Sequence, residues 1–449
     1  MVDPIGRPAR RLLPERVLKS GWTWLFVGAV VVYAGALAWL YADVLSSMKA
    51  SADAYVNPAA IRQAAGLAVP TVLFWTVVFI LTDRYRPQRF IVWFVTLGWG
   101  AAVAVLLAYH VNTWAAQHLG IAGAGDPASG ARAAIFVAPF VEEACKATVI
   151  FLIAIFARYR ITSKVSAIVL AGLSAAGFAF TENIVYYARV IVFASTTIQA
   201  GDADQALASI VMLRGVYTAF GHPLFTMMTG IGIAVALRTH SKVVRVLAPL
   251  AGYCAAAFLH MLYNSQASMS DGNAQLILYF AVALPMVLTA VVYVVRQILA
   301  EGRRLQARLY DYVQLGWLPT SDVQVFSKVR LRAWAPIIAI TRGWRCFLAT
   351  LALQRTLTEL AYLRDAEVRG IDGRTAITRE RELVEQANSL RTTAISDPRG
   401  QKLNLPRWRR SKPVTYPVPN YPGPAGLGGN WPAPPPGQPP VKAGTSRRS

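Results

Sequence analysis

Long apolar runs alternate with short polar connections along this chain. Runs able to cross a bilayer lie near 21–41, 65–82, 90–109, 133–156, 165–194, 207–237, 243–263 and 275–298. Crossing about 30 Å of hydrocarbon at helical rise needs roughly 20 residues, which these lengths approach or exceed. They are continuous Leu, Val, Ala and Ile stretches with Trp and Tyr near their ends. The ten-residue alternation of a membrane β-barrel is missing. The pattern predicts an all-α, polytopic membrane protein with about eight transmembrane helices.

Past residue 298 the pattern changes. Segment 299–396 mixes charges with apolar residues at helical spacing, as between Thr350 and Leu360, and predicts a cytoplasmic helical domain. Segment 397–449 carries Arg407, Arg409, Arg410 and twelve prolines between Pro406 and Pro440, a composition that cannot bury a core. The expected organisation is therefore a basic cytoplasmic N-terminus at 1–20, a membrane domain at 21–298, the helical domain at 299–396 and a disordered basic tail at 397–449. That tail suits anionic lipid or a protein partner.

Composition agrees with lipid as the main solvent. Hydrophobic residues make up 55% and charged residues 15%, with a mean hydropathy of +0.40, whereas soluble domains carry roughly 25% charged residues. The net charge of +22 sits in short connections and the C-terminal region rather than along one face, so no nucleic-acid partner is expected. Connections 83–89, 158–164 and 238–245 are basic, while 42–64, 110–132, 195–206 and 264–274 hold only Lys49, Arg62 and Arg132. This asymmetry predicts a multi-pass protein of the plasma membrane with both termini cytoplasmic. The first run follows Arg7, Arg10, Arg11, Arg16 and Lys19 and is longer than a secretory signal, so it reads as a retained span. Cys145, Cys254 and Cys346 lack ligand spacing, and the first two are expected as small core residues.

Ionisable side chains inside spans cost several kcal/mol each and call for pairing or function. Four consecutive predicted helices carry them. Glu142, Glu143 and Lys146 share the fourth, with Lys146 one turn beyond both carboxylates and able to neutralise one. The fifth carries Glu182 and Asn183, with Arg189 two turns on as a possible charge partner; Arg214, in the next run, reads as snorkelling or paired. On the sixth, His222 precedes Pro223, which should open that helix locally. The seventh places His260 and Asn264 on one face. His110, His118 and His240 fall in predicted connections. Counting rise from the helix ends puts Glu142, Glu182, His222 and His260 at about 14, 18, 22 and 5 Å from the outer side, overlapping in the outer half or middle of the bilayer.

A carboxylate with two imidazoles can activate water and protonate a leaving amine without a metal. Alternatively, His222, His260 and either Glu142 or Glu182 suit zinc with one open position. The residues leave both mechanisms open. Buried ion pairing, a proton-coupled transporter, or a non-catalytic scaffold are the competing readings, although no internal repeat accompanies the helices as transporters commonly show.

The ordered set Glu-Glu-x-x-Lys at 142–146, Phe-x-x-x-Glu-Asn at 178–183, His222 within Gly-His-Pro-x-Phe-Thr and His-x-x-x-Asn at 260–264 resembles the PrsW family of intramembrane proteases, itself distantly similar to the CAAX protease superfamily. The resemblance spans roughly residues 20–300. It implies Glu142, Glu143, Glu182, His222 and His260 as catalytic residues, with Lys146, Asn183 and Asn264 supporting them and Asn264 polarising the scissile carbonyl. It further implies a membrane-anchored protein substrate, such as an anti-sigma factor; the depths counted above add the expectation of a cut near its outer juxtamembrane region.

Overall fold

The computed structural model describes residues 20–52, 58–85, 87–118, 129–196, 202–268, 272–368 and 376–404. The expectations for the N-terminus before Ser20 and for the tail beyond Asn404 lie outside the described residues. Among those described, helices account for nearly all regular structure and no strand occurs.

The first helices are α1 (Gly21–Ala52) and α2 (Pro58–Thr82). Next, α3 (Phe90–Gly98) continues through a π-turn at Trp99–Ala104 into α4 (Val105–His118). A short α5 (Ser129–Phe136) precedes α6 (Ala138–Phe156), and α7 spans Lys164–Thr196. Then come α8 (Ala203–Met212) with a π-turn at Leu213–Tyr217, α9 (Gly221–Ala236) and α10 (Lys242–Ala267). A short α11 (Gly272–Leu278) and a π-turn at Tyr279–Ala283 lead into α12 (Leu284–Gln314). The remaining helices are α13 (Thr320–Phe326), α14 (Val329–Ile340), α15 (Trp344–Val368) and α16 (Ala376–Arg391).

Among the described residues, seven helical stretches are long and apolar enough to span a bilayer. The expected eighth, α6, is helical but has only 19 residues and carries Glu142, Glu143 and Lys146. Its charges lower its apolarity, and neighbouring helices rather than lipid surround them.

The centre of the bundle is α7. Its first half, Val165 to Phe178, holds Val, Ile, Leu, Ala, Ser, Gly and a closing Phe without a charge and is buried residue after residue. Small side chains let backbones approach closely, which is how membrane helices gain packing energy without a hydrophobic drive between them. A Cβ at Gly177 would stand 2.1 Å from the carbonyl oxygen of Leu97 in α3, and one at Gly232 in α9 would stand 2.3 Å from that of Ala248 in α10. These crossings lock α3 against α7 and α9 against α10. Trp99 adds a tether, its Nε1 donating to the carbonyl of Cys145, 3.0 Å away.

Three expectations need correction. The run 207–237 is interrupted at 218–220, ahead of His222, and Pro223 stands in the first turn of α9, where a missing N–H costs nothing. The connection expected at 110–132 begins later, because helix continues to His118. His110 therefore sits in α4, its Nε2 3.2 Å from Asp43, and His118 caps the Trp114 carbonyl at 2.9 Å. Finally, Cys254 is exposed on α10 and Cys145 only half-buried, so neither is a core residue.

Helix α12 runs unbroken through the expected boundary at 298/299 and joins α13–α16. Leu305, Leu309, Tyr312, Phe326, Leu353, Leu357 and Leu383 form their shared core. Tyr85, from the α2–α3 connection, is inserted into it: its hydroxyl donates to Ser327 at 2.8 Å, and Arg332 Nη2 donates to the Tyr85 carbonyl at 2.9 Å. Burial pushes the Tyr85 phenol up to about 12, keeping it a neutral donor.

Candidate active site

Helix α6 starts with Pro139 in its first turn and then places Glu142, Glu143 and Lys146 on the side facing α4, α7, α9 and α10. Lys146 is fully buried. Its Nζ lies 2.9 Å from Glu143 Oε1, 3.4 Å from Glu142 Oε2 and 2.9 Å from His222 Nδ1, and 4.1 Å above the Phe178 ring. An ammonium has three N–H donors and no acceptor, so these three contacts use its capacity completely. The same contact sets the His222 tautomer. If Nδ1 accepts from Lys146, the proton sits on Nε2, which donates to Glu182 Oε2 at 2.8 Å.

The adjacent carboxylates differ. Glu143 is fully buried and spoken for: Thr226 Oγ1 donates to Oε2 at 2.7 Å, while His260 Nδ1 and Lys146 converge on Oε1. Glu142 lines an open cavity, and apart from Lys146 its contacts are long. Asn112 Nδ2 lies 3.5 Å from Oε1 and His260 Nε2 3.8 Å from Oε2.

Glu182 pairs with Arg214 Nη2 at 2.7 Å, and Asn183 Oδ1 accepts from Arg214 Nε at 2.8 Å. The expected partner Arg189 takes no part. Arg214 reaches both groups because its π-turn carries it to α7, and its guanidinium lies 4.0 Å from the centre of the Tyr186 ring. Asn264 is not free to polarise a carbonyl with both amide protons, since Nδ2 donates to the Ala134 carbonyl at 2.8 Å.

The two histidines meet edge to face, ring centres 5.0 Å apart, and Phe225 stacks on His260 at 5.1 Å. Glu142, Glu182, His222, His260, Asn264 and Asn112 all border one cavity of about 590 Å³. Asn112 escaped sequence reasoning because its position was assigned to a connection. Only the continuation of α4 brings its amide to Glu142.

One ligand atom each from Glu142, His222 and His260 lies within 4.8 Å of the others. Two imidazoles and a carboxylate beside an open cavity are the donor set of a hydrolytic zinc site, so these residues fit such an ion. Glu143, bonded to His260 Nδ1, stands where a carboxylate commonly orients a ligating imidazole.

Compared with known proteins, residues 87–294 match the family described as PrsW family intramembrane metalloprotease. No curated protein and no solved structure matches the chain. The matched segment runs from the α2–α3 connection into α12 and includes every residue of the cluster. Over 87–294, though not over the expected 20–86, the resemblance is shown, and with it a multi-pass membrane peptidase that hydrolyses peptide bonds of a membrane-embedded protein substrate. The transporter and scaffold readings gain no such support.

Proposed function

We propose that this PrsW-type peptidase cuts the outer juxtamembrane segment of a membrane-anchored protein, with Glu142 as general base for a water in the cavity. The observation that carries the reading is the contrast between neighbours: Glu143 is sealed by Thr226, His260 and Lys146, whereas Glu142 faces open space. A base has to reach water and then release its proton. Only Glu142 of the pair is free to do so.

In this mechanism Glu142 takes a proton from water as the oxygen forms its bond to the scissile carbonyl carbon. The carbon–nitrogen bond then breaks, and the proton passes through His260 Nε2, 3.8 Å away, to the departing amine nitrogen. Glu143 accepts from Nδ1 of the same ring at 3.1 Å and keeps Nε2 turned toward Glu142. Lys146 and Glu182 hold His222 from its two ring nitrogens, and Arg214 holds Glu182. Asn112 offers an amide donor next to Glu142. Zinc is the alternative to this mechanism: Glu142, His222 and His260 would then hold the ion as ligands, and it would supply polarisation of the water or the attacked carbonyl in place of Glu142 acting as base.

The resemblance suggests a membrane-bound regulator such as an anti-sigma factor as substrate. Charge asymmetry supports a plasma-membrane location with both termini cytoplasmic, which puts helices α13–α16 in the cytoplasm and leaves the basic tail available to anionic lipid or a partner. The test is a proteome-wide comparison of new peptide termini in membranes carrying wild type, Glu142→Gln, Glu143→Gln or His222→Ala. We expect termini present only with the wild type; identical termini from all four would overturn the reading.

A further inference from the structure

Two arginines border the reactive cavity, with a buried lysine behind it, and two of these three cations are neutralised. Lys146 is held by Glu142 and Glu143, and Arg214 by Glu182 and Asn183. The third, Arg189, is exposed and borders the same cavity, with no ion pair among the described residues. It follows Glu182 by seven positions on α7, which is two helical turns and so the same face. That spacing puts it about 10 Å along the axis from Glu182, toward the C-terminal end of α7.

We infer that Arg189 is a specificity determinant, binding an acidic side chain of the polypeptide substrate about three residues from the cleaved bond. This rests on the proposed peptidase site. An extended chain advances about 3.3 Å per residue, so the 10 Å between Arg189 and the Glu182–His222 pair corresponds to roughly three residues. A guanidinium presents a planar fork of donors that a carboxylate matches with two bonds. Charge complementarity at a rim, where both partners keep partial hydration, selects among substrates more than it adds affinity. Lys146 has all three donors engaged and the Arg214 charge is compensated by Glu182, which leaves Arg189, among the described residues, as the uncompensated cation at the cavity. Anchoring to lipid phosphate is the competing use of an arginine at this height, and it predicts no dependence on substrate sequence.

The experiment uses the full chain in host membranes with a library of single-span reporter proteins whose outer juxtamembrane residues are randomised. Cleaved members are sequenced for wild type, Arg189→Gln, Arg189→Lys and Arg189→Glu, with Glu142→Gln as the background. Expected for the wild type is a five- to ten-fold enrichment of Asp or Glu two to four positions from the cut on one flank. Arg189→Gln flattens it, Arg189→Lys retains part of it, and Arg189→Glu replaces it with Lys or Arg. Cleavage whose flanking preference is the same in every variant overturns the inference, including a uniform loss of rate, which assigns Arg189 to lipid phosphate. If no wild-type cleavage rises above the Glu142→Gln background, the peptidase site itself falls, and the inference with it.

Discussion

Lys146 Nζ lies 2.9 Å from His222 Nδ1, joining α6 to α9 through one buried hydrogen bond. The same ammonium separates two carboxylates on adjacent residues. Lys146→Met removes the cation that both carboxylates face, and breaking a buried pair this way costs about 3–5 kcal/mol. A lowered melting temperature of the purified protein in detergent is the expected result. Lys146→Arg should fail to restore it, because a planar fork cannot direct donors at three converging acceptors. An unchanged melt for Lys146→Met contradicts the network.

Arg214 and Arg189 give a second contrast. Removing Arg214 strands Glu182 beside His222, so Arg214→Met is expected to destabilise by about 3–5 kcal/mol. Arg189→Met, on an exposed side chain with no partner among the described residues, should stay within about 0.5 kcal/mol. Thermal unfolding of the two variants side by side measures the difference; equal losses would restore Arg189 as a partner of Glu182.

The part of this arrangement legible in the sequence was the part governed by short-range periodicity. Lys146 follows Glu142 by four and Glu143 by three, and helical geometry alone brings them together. Apolar runs gave the spans, and charges inside them marked the cluster. The partner of Glu182 was not legible, because Arg214 lies on another helix and no periodicity relates two registers. Arg189 shares the right face but sits two turns away, beyond reach of an ion pair. Asn112 and His110 were assigned to a connection because polar residues end the apolar run near 109, although helix continues to His118. The opening expected near Pro223 is present, at 218–220, but it falls ahead of His222 and leaves the proline in the first turn of α9, where it has no hydrogen bond to break.

A third prediction concerns the contact between the α2–α3 connection and the C-terminal helices. Tyr85 is buried among Leu305, Leu309 and Phe326 and donates to the Ser327 carbonyl. Tyr85→Ala removes a large ring from a packed core, a change worth about 3–5 kcal/mol. Tyr85→Phe keeps the packing and loses one hydrogen bond, worth about 1 kcal/mol. Limited proteolysis between α12 and α13 should accelerate strongly for the first and slightly for the second; equal rates for both variants and wild type would show that Tyr85 does not secure those helices.

The central claim, that Glu142 activates water for peptide hydrolysis, is tested most directly in ¹⁸O-labelled water. Full-length wild type and Glu142→Gln are reconstituted with a cleavable single-span substrate, and the products are weighed by mass spectrometry. One ¹⁸O atom is predicted in the new C-terminal carboxylate of the wild-type product, with the rate for Glu142→Gln lower by about 10²–10⁴, the usual contribution of a general acid or base. Labelled product from Glu142→Gln at the wild-type rate would contradict the account.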